Sequence, residues 1–321
     1  MTNRLPFGRN KTALACKAIA LLAGASLLFF ALLATWPLMA EDITNESSSG
    51  PATRAILWRV SDDEGGRLWL LGSIHLADES IYPLPDSVKE AFNDSKVLAV
   101  EADMVNVDPA AIQKMMQGSA MLSPGDGLSK RLPKDLYHLA ASRLRKLGID
   151  IALLENMRPW FVAMFLTNMA AQQAGLDPKW GIEHHFIERA GDREVIEIEG
   201  IARQLEVFSD MSENLEVLFL RQALAETADA LSEIRRIVEA WRAGDVEAIA
   251  KLRQQSREQH PELAALDEVL FTRRNIEMAE KITQYLASGR THFVIVGAGH
   301  LAGEDSIIHL LKKEGLETER Q

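Results

Sequence analysis

Two short apolar runs, each closed by Gly-x-x-His, constrain this chain more than any other feature. Leu68 to Leu71 leads into Gly72-Ser73-Ile74-His75. His292 to Val296 leads into Gly297-Ala298-Gly299-His300, with 225 residues separating the two motif histidines. Both runs read as strands, and a glycine at the end permits a sharp exit and leaves room beside the backbone. In an open α/β sheet, ligands bind beyond the carboxyl ends of the strands. The pattern therefore predicts that His75 and His300 meet across one crevice.

The segments between these runs supply the rest of the architecture. Ala55–Val60 and Arg67–Leu71 flank Asp-Glu-Gly-Gly, a hairpin signal. Tyr82-Pro83-Leu84-Pro85 is a rigid turn, and Asp86 is placed to cap a helix reaching Ser95. Lys96–Val100 reads as a buried strand with Glu101 and Asp103 at its end. Asp108-Pro109 opens a helix by the cap-then-proline rule. Pro133 opens another that Gly148 closes, a further one follows from Ile151, and Arg158-Pro159 starts one running to Gly175. Gly181 to Gly191 reads as helix, and Glu194–Ile198 as a strand delivering Glu199-Gly200. From Arg203 to Leu286 apolar residues recur at helical spacing, among them Leu231, Ile234, Val238 and Trp241, with a break at Gly244-Asp245 and a last long helix from Pro261. After the second histidine a helix spans about Asp305 to Lys313. The expected fold is α/β: a mixed central sheet built from N- and C-terminal βα segments, with a large helical insert between them.

Residues 1–40 stand apart. Arg4, Arg9, Lys11 and Lys17 precede or open an apolar run from Ala18 to Leu33, and no acid occurs before Glu41. A basic start, an apolar centre and small residues at Met39-Ala40 predict an export signal, or an uncleaved membrane anchor using residues 18–38. Residues 41–53 read as a polar linker and 54–321 as the domain. Either fate of the leader puts the domain outside the cytoplasm, in the periplasm or tethered to the cytoplasmic membrane. The one cysteine, Cys16, lies in the leader, so the domain has no thiol for disulfides, thiolate ligands or a cysteine nucleophile. The net charge of −11 includes four leader cations, which leaves −15 on residues 41–321. Such a surface repels nucleic acid.

The strand ends collect His75, Glu101, Glu199 and His300, with Asp103 and Glu197 as neighbours. Neutral imidazole with carboxylate suits divalent zinc, manganese, iron or cobalt. A metal held with an open position activates water, and a free carboxylate can act as general base. Arg274, in Arg273-Arg274-Asn275, offers a planar fork for a carboxylate or an oxyanion. Adjacent His184 and His185 point about 100° apart on a helix, so at most one supports the site, and surface or packing roles are favoured. Met115, Met116 and Met121 read as packing. Gly297 to Ala302 matches G-x-G-x-x-A, but too little chain follows for the strand and acid a dinucleotide site needs.

The words LWLLGSIHL, YPLP, VEADM, RPW, GIE, IEG with Gln204, RRN and VGAGHLAGEDS together resemble the TraB/GumN family, which includes the animal TIKI proteins and is distantly similar to erythromycin esterases. The likeness covers about residues 54–315. It implies an α/β fold with both histidine motifs at one site, and a metal-dependent peptidase activity. Carried over by motif, His75 and His300 are metal ligands, Glu101 ligand or base, Glu199 ligand or support, and Arg274 a stabiliser of the oxyanion. Two positions depart from the family's threonines: Ser73 keeps the hydroxyl, whereas Gly200 loses a possible donor beside Glu199. The expectation is an exported or membrane-tethered metal-dependent hydrolase acting on a peptide or small-molecule substrate. Two alternatives are a non-catalytic peptide- or signal-binding regulator using the same crevice, and a metal-independent esterase-like hydrolase.

Overall fold

A computed structural model describes residues 54–224, 230–259 and 261–321. The leader, the linker, Cys16 and the possible tether at 18–38 lie outside the described residues. Among the described residues no helix is long and apolar enough to cross a membrane.

One six-stranded sheet organises the chain. Its strands are β1 (Leu57–Ser61), β2 (Arg67–Ser73), β3 (Val97–Val100), β4 (Glu194–Glu197), β5 (His292–Gly297) and β6 (Glu317–Arg320), in the spatial order β4-β3-β5-β2-β1-β6. Neighbours among β4, β3, β5 and β2 run parallel, and β1 is antiparallel to both β2 and β6. The C-terminal strand β5 inserts between β2 and β3, so the two ends of the chain share one sheet. Every residue of β3 and β5 is buried, as central parallel strands covered on both faces require. The edges differ. β4 is at most half-buried, and β6, Glu-Thr-Glu-Arg, alternates exposed charge with half-buried positions, which discourages further strand pairing. The mainly charged composition of β6 hid it from the sequence reading.

The β1–β2 hairpin forms as its turn residues dictate. Asp62 Oδ1 accepts from the backbone N–H of Glu64 and Gly66 at 3.0 and 2.7 Å, and Gly65 takes a φ of +91°. Helix α1 (Asp86–Asp94) begins one residue earlier than a cap at Asp86 would give: Pro85 is the cap and Asp86 lies in the first turn, 2.8 Å from Lys89. In α2 (Pro109–Ala120), Asp108 accepts from Ala110 N–H and Pro109 takes the first position. Helix α3 (Lys134–Lys146) ends before Gly148, whereas the segment after it is only a 3-10 turn, Ile151–Leu154.

Helix α4 (Pro159–Gln173) is buried on all sides from Trp160 to Asn168 and packs along α7. The other helices of six residues or more are α5 (Ile182–Ile187), α6 (Ile201–Ser209), α7 (Glu213–Leu224), α8 (Ala230–Arg242), α9 (Val246–Gln259), α10 (Arg273–Ala287) and α11 (Ile307–Lys313). The long helix expected from Pro261 is broken. A 3-10 turn, a short helix Ala264–Asp267 and a π-turn at Glu268–Thr272 precede α10. π-turns recur at functional sites. This one sets Leu270 O where Arg274 Nη1 donates to it at 3.0 Å.

Candidate active site

The four parallel strands are neighbours, and their carboxyl ends deliver the four sequence-selected residues side by side: Glu199 after β4, Glu101 after β3, His300 after β5 and His75 after β2. The two glycine turns touch. Ser73 pairs with Gly297 in register. A Cβ on Gly72 would lie 3.2 Å from Ala298 Cα and 2.5 Å from Ile56 Cγ2, so a side chain there would separate the strands.

Glu101 is fully buried at the centre. Its Oε1 accepts the backbone N–H of Gly297 at 2.6 Å; its Oε2 accepts from Arg274 Nη2 at 2.9 Å and Gln204 Nε2 at 3.1 Å. Its main-chain oxygen takes the N–H of Glu199 and Gly200 at 3.0 and 2.8 Å, which locks the ends of β3 and β4 together. Arg274 spans two carboxylates. Its Nε and Nη2 meet Glu199 at 2.7 and 2.6 Å in a bidentate fork, while Nη2 also reaches Glu101. Both oxygens of Glu199 are thus held by arginine, and Oε2 also accepts from Gln204 at 3.2 Å. Gly200, at φ +83°, occupies a backbone conformation that threonine would take only with strain, a physical reason for that departure.

The two histidines are held differently. His300 Nδ1 lies 2.6 Å from Asn275 Oδ1, and Asn275 Nδ2 donates to Asp305 O at 2.8 Å. With the amide oriented by that second bond, Oδ1 accepts, so Nδ1 carries the proton and Nε2 the lone pair. Burial first, then the cations of Arg274 and Arg253, holds the His300 pKa well below the ordinary imidazole value. His75 Nδ1 stands 2.9 Å from Glu183 Oε1, an ion-pair distance without hydrogen-bond alignment, and Ser73 Oγ donates to the same oxygen. Burial opposes charge on His75, but Glu183 outweighs it and raises the pKa. Glu183 in turn is lowered: burial works against this, and His75 and Ser73 override it. Glu101 is raised, because its burial prevails over Arg274.

Sequence reasoning missed Glu183. Its signal was the word Gly181-Ile182-Glu183. A Cβ on Gly181 would stand 2.4 Å from His75 O, and Ile182 N–H donates to Ile74 O at 3.1 Å, so this glycine lets α5 dock against the first motif. The neighbouring histidines part ways: His185 stacks on Tyr82 with ring centroids 4.8 Å apart, whereas His184, 3.6 Å from Glu188, lines the same cavity as His75. Asp103 forms a local turn with Asn106, and Glu197 Oε1 accepts Asp103 N–H at 2.7 Å. A cavity of about 300 Å³ opens beside His75 and Glu183, walled by Met104 and Val105 after β3 and by Pro178, Lys179 and Ile187. Met115 packs against the core and Met116 is buried in it, whereas Met121 is exposed.

The donor set fits a divalent cation in its chemistry. Nε2 of both His75 and His300 is buried without a hydrogen-bond partner. Glu101 Oε1 is 3.9 Å from His300 Nε2, within the span of about 4.2 Å open to two ligands of one ion at about 2.1 Å each. With both imidazoles neutral, Glu101, Glu183 and Glu199 against Arg274 leave two buried negative charges, which a divalent ion would balance. Among the described residues no three His, Cys, Asp or Glu side chains stand in a ready-made metal cage.

Known proteins resemble this chain in sequence. The chain is 24% identical over 250 residues to Uncharacterized protein YbaP of Escherichia coli (strain K12), an alignment covering 76% of this chain and 87% of that protein. It is 22% identical over 274 residues to an uncharacterized protein of Treponema pallidum (strain Nichols), covering 81% of each. The Metalloprotease TIKI homolog of Amphimedon queenslandica is 22% identical over 322 residues, covering 85% of this chain and 62% of that protein. No solved structure matches. Residues 56–320 match one family along their length, from the strand that pairs with β2 to the last residue of β6, and so take in every side chain of the crevice: the chain belongs to the TraB/PrgY/gumN family.

Proposed function

We propose that this crevice is the active centre of an exported or membrane-tethered metal-dependent hydrolase that cleaves peptides. One observation carries the reading: two buried imidazoles, delivered by adjacent parallel strands, leave Nε2 atoms with no hydrogen-bond partner. His75, His300 and Glu101 would hold the ion. A divalent metal bound there supplies Lewis acidity and a water of lowered pKa. The distant metalloprotease relatives support the same chemistry.

The chain's own groups have distinct tasks. Asn275 fixes the tautomer of His300 and so presents its Nε2 lone pair, as the partners of metal-bound histidines do. Glu183 orients His75 beside the cavity and favours a proton there. Glu101, raised by burial, is better suited than an ordinary carboxylate to take up a proton. Arg274 keeps Glu101 and Glu199 in place. The apolar wall of Met104, Val105 and Ile187 suits an uncharged side chain of the substrate, and the acidic domain disfavours nucleic acid.

A second reading has its own observation. The His75–Glu183 pair, with Ser73 on the same carboxylate, is an imidazole–carboxylate dyad that could activate water without metal. Metal analysis of the purified chain, wild type against His300→Ala, and peptide-library cleavage with and without chelator distinguish the readings. Bound metal lost in His300→Ala, with chelator-sensitive cleavage, is the expected result. Cleavage indifferent to chelator and to metal exchange favours the dyad. Bound metal with no cleavage of any peptide leaves a binding protein.

A further inference from the structure

Two side chains of the helical insert reach the two histidine turns, one each. Trp241, near the end of α8, donates its indole Nε1–H to Gly72 O at 2.8 Å. Gly72 opens the turn that carries His75. Arg253, on α9, donates through Nη1 to Gly299 O at 3.1 Å and to Ala302 O at 2.9 Å. Those two carbonyls bracket His300. Trp241 and Arg253 are both buried, and their helices are joined at the Gly244-Asp245 break.

Arg253 is built for this task. Burying a guanidinium is costly unless it is paired and fully hydrogen-bonded. Here Asp267 lies 3.2 Å away and Asp305 3.0 Å, and the Phe271 ring lies 4.0 Å beneath the guanidinium carbon. Asp305 also accepts from Thr272, and its main-chain oxygen accepts from the Asn275 that holds His300. The same Phe271 ring lies 5.2 Å from the His300 ring. Arg253 is thus tied both to the backbone around His300 and to the group that fixes its tautomer.

We propose that the α8–α9 hairpin is the positioning element of the site: Trp241 fixes the turn bearing His75, Arg253 fixes the turn bearing His300, and the hairpin thereby sets the relation of the two imidazoles. The proposal rests on the reading of those imidazoles as one centre. Neither residue touches the reacting atoms; both act through the histidines. The insert is therefore part of the site, although the sequence marks Trp241 only as an apolar position at helical spacing.

The test uses conservative variants of the full chain and reads the histidines directly by NMR of ring-labelled protein at neutral pH, without metal. Trp241→Phe keeps the ring and removes the donor. Arg253→Lys keeps the charge facing Asp267 and Asp305 but cannot span both carbonyls. The expected result is selective: Trp241→Phe moves the His75 ring signals and spares His300, and Arg253→Lys moves those of His300 and spares His75. In a parallel titration each variant weakens cobalt binding by about 10–100-fold, the range for residues that orient ligands. In the unsubstituted protein the Trp241 indole N–H exchanges slowly with solvent. Variants that melt earlier but leave both histidine signals in place overturn the proposal, as does a fast-exchanging indole. Selective signal shifts in a protein that binds no cobalt would uphold the positioning and defeat the metal reading, so the two can fail separately.

Discussion

The same four-residue device, Gly-x-x-His, ends two adjacent strands and produces two histidines of opposite electrostatic character. His75 sits against a carboxylate, lines the cavity and is pushed toward the charged form. His300 sits against a neutral amide, between two arginines, and is held neutral. The backbone motif fixes where an imidazole stands; the helices packed behind it decide what that imidazole does. Burial alone would favour neutrality in both. The difference lies in which charge each helix presents: Glu183 from α5 to the first, Arg274 from α10 and Arg253 from α9 to the second. In the metal-free protein one ring is thus ready to carry a proton and its neighbour is not, and an ion bound at the two Nε2 atoms would displace that proton from His75.

The largest effect is expected from removing either ring. His75→Ala and His300→Ala should each lower peptide cleavage by more than about 100-fold, since loss of an orienting partner alone costs about 10–100-fold. The two variants should differ under rescue. Added imidazole has a cavity to enter at residue 75, but only closely packed core at residue 300. Steady-state rates with and without imidazole check this, and full activity in His75→Ala would remove that ring from the mechanism.

Next in size is the cost of taking away the cation between the two carboxylates. Arg274→Met leaves Glu101 and Glu199 buried without their shared partner, and breaking such a pair costs about 3–5 kcal/mol. Urea unfolding should show a loss of that order. Glu101→Gln combined with Arg274→Met should recover part of it, because one orphan charge is then gone. A double variant no more stable than Arg274→Met would place the cost elsewhere.

How much of this contrast the sequence disclosed follows from where each contributor lies. His75, Glu101, Glu199 and His300 were legible because an apolar run ending in a turn fixes which residue emerges at a strand's carboxyl end. Their adjacency also followed, since four parallel strands of one sheet expose their ends together. What made the two histidines unlike was not legible. Glu183 sits on a six-residue helix beside His184-His185, which drew attention to the wrong side chains. Arg253 falls among charged residues of a solvated-looking helix, yet tertiary contacts bury it. Trp241 carried the right apolar signal, but its one N–H, bonded 169 residues away, is invisible to any local pattern. Strand β6 escaped because an edge strand can be charged. The break at Glu268–Thr272 escaped because a π-turn leaves helical spacing almost intact.

The smaller tests use pH, where the two motif histidines should act in opposite directions on the metal-free protein. His75 is raised in the folded state, so its contribution to stability is complete below the ordinary imidazole pKa of about 6.5 and is lost as pH rises through its folded value. His300 is lowered, so its contribution is present above about 6.5 and is lost on acidification toward its folded value. Glu101, also raised, sheds its share at lower pH than His75, from the ordinary carboxylate range upward. Glu183→Gln should therefore flatten the fall in unfolding free energy above pH 6.5, and, because the Glu183 carboxyl is itself lowered in the folded state, it should also remove that group's own loss of stability on acidification below the ordinary carboxylate range. An unchanged alkaline slope would mean that Glu183 is not what charges His75.

The smallest effect belongs to a histidine outside the crevice and serves as the control. His185, stacked on Tyr82 and pushed down to about 4 chiefly by burial, resists protonation as His300 does, but it is half-exposed and solvent screens it. Its folded pKa lies below the unfolded one, so it should erode stability only between about pH 6.5 and 4. His185→Phe keeps a ring against Tyr82 and removes the titration. Melting curves of that variant should separate from wild type below pH 6.5 and coincide above it, with peptide cleavage at neutral pH unaltered. A change in cleavage would bring His185 into the site, and the contrast would then involve three imidazoles instead of two.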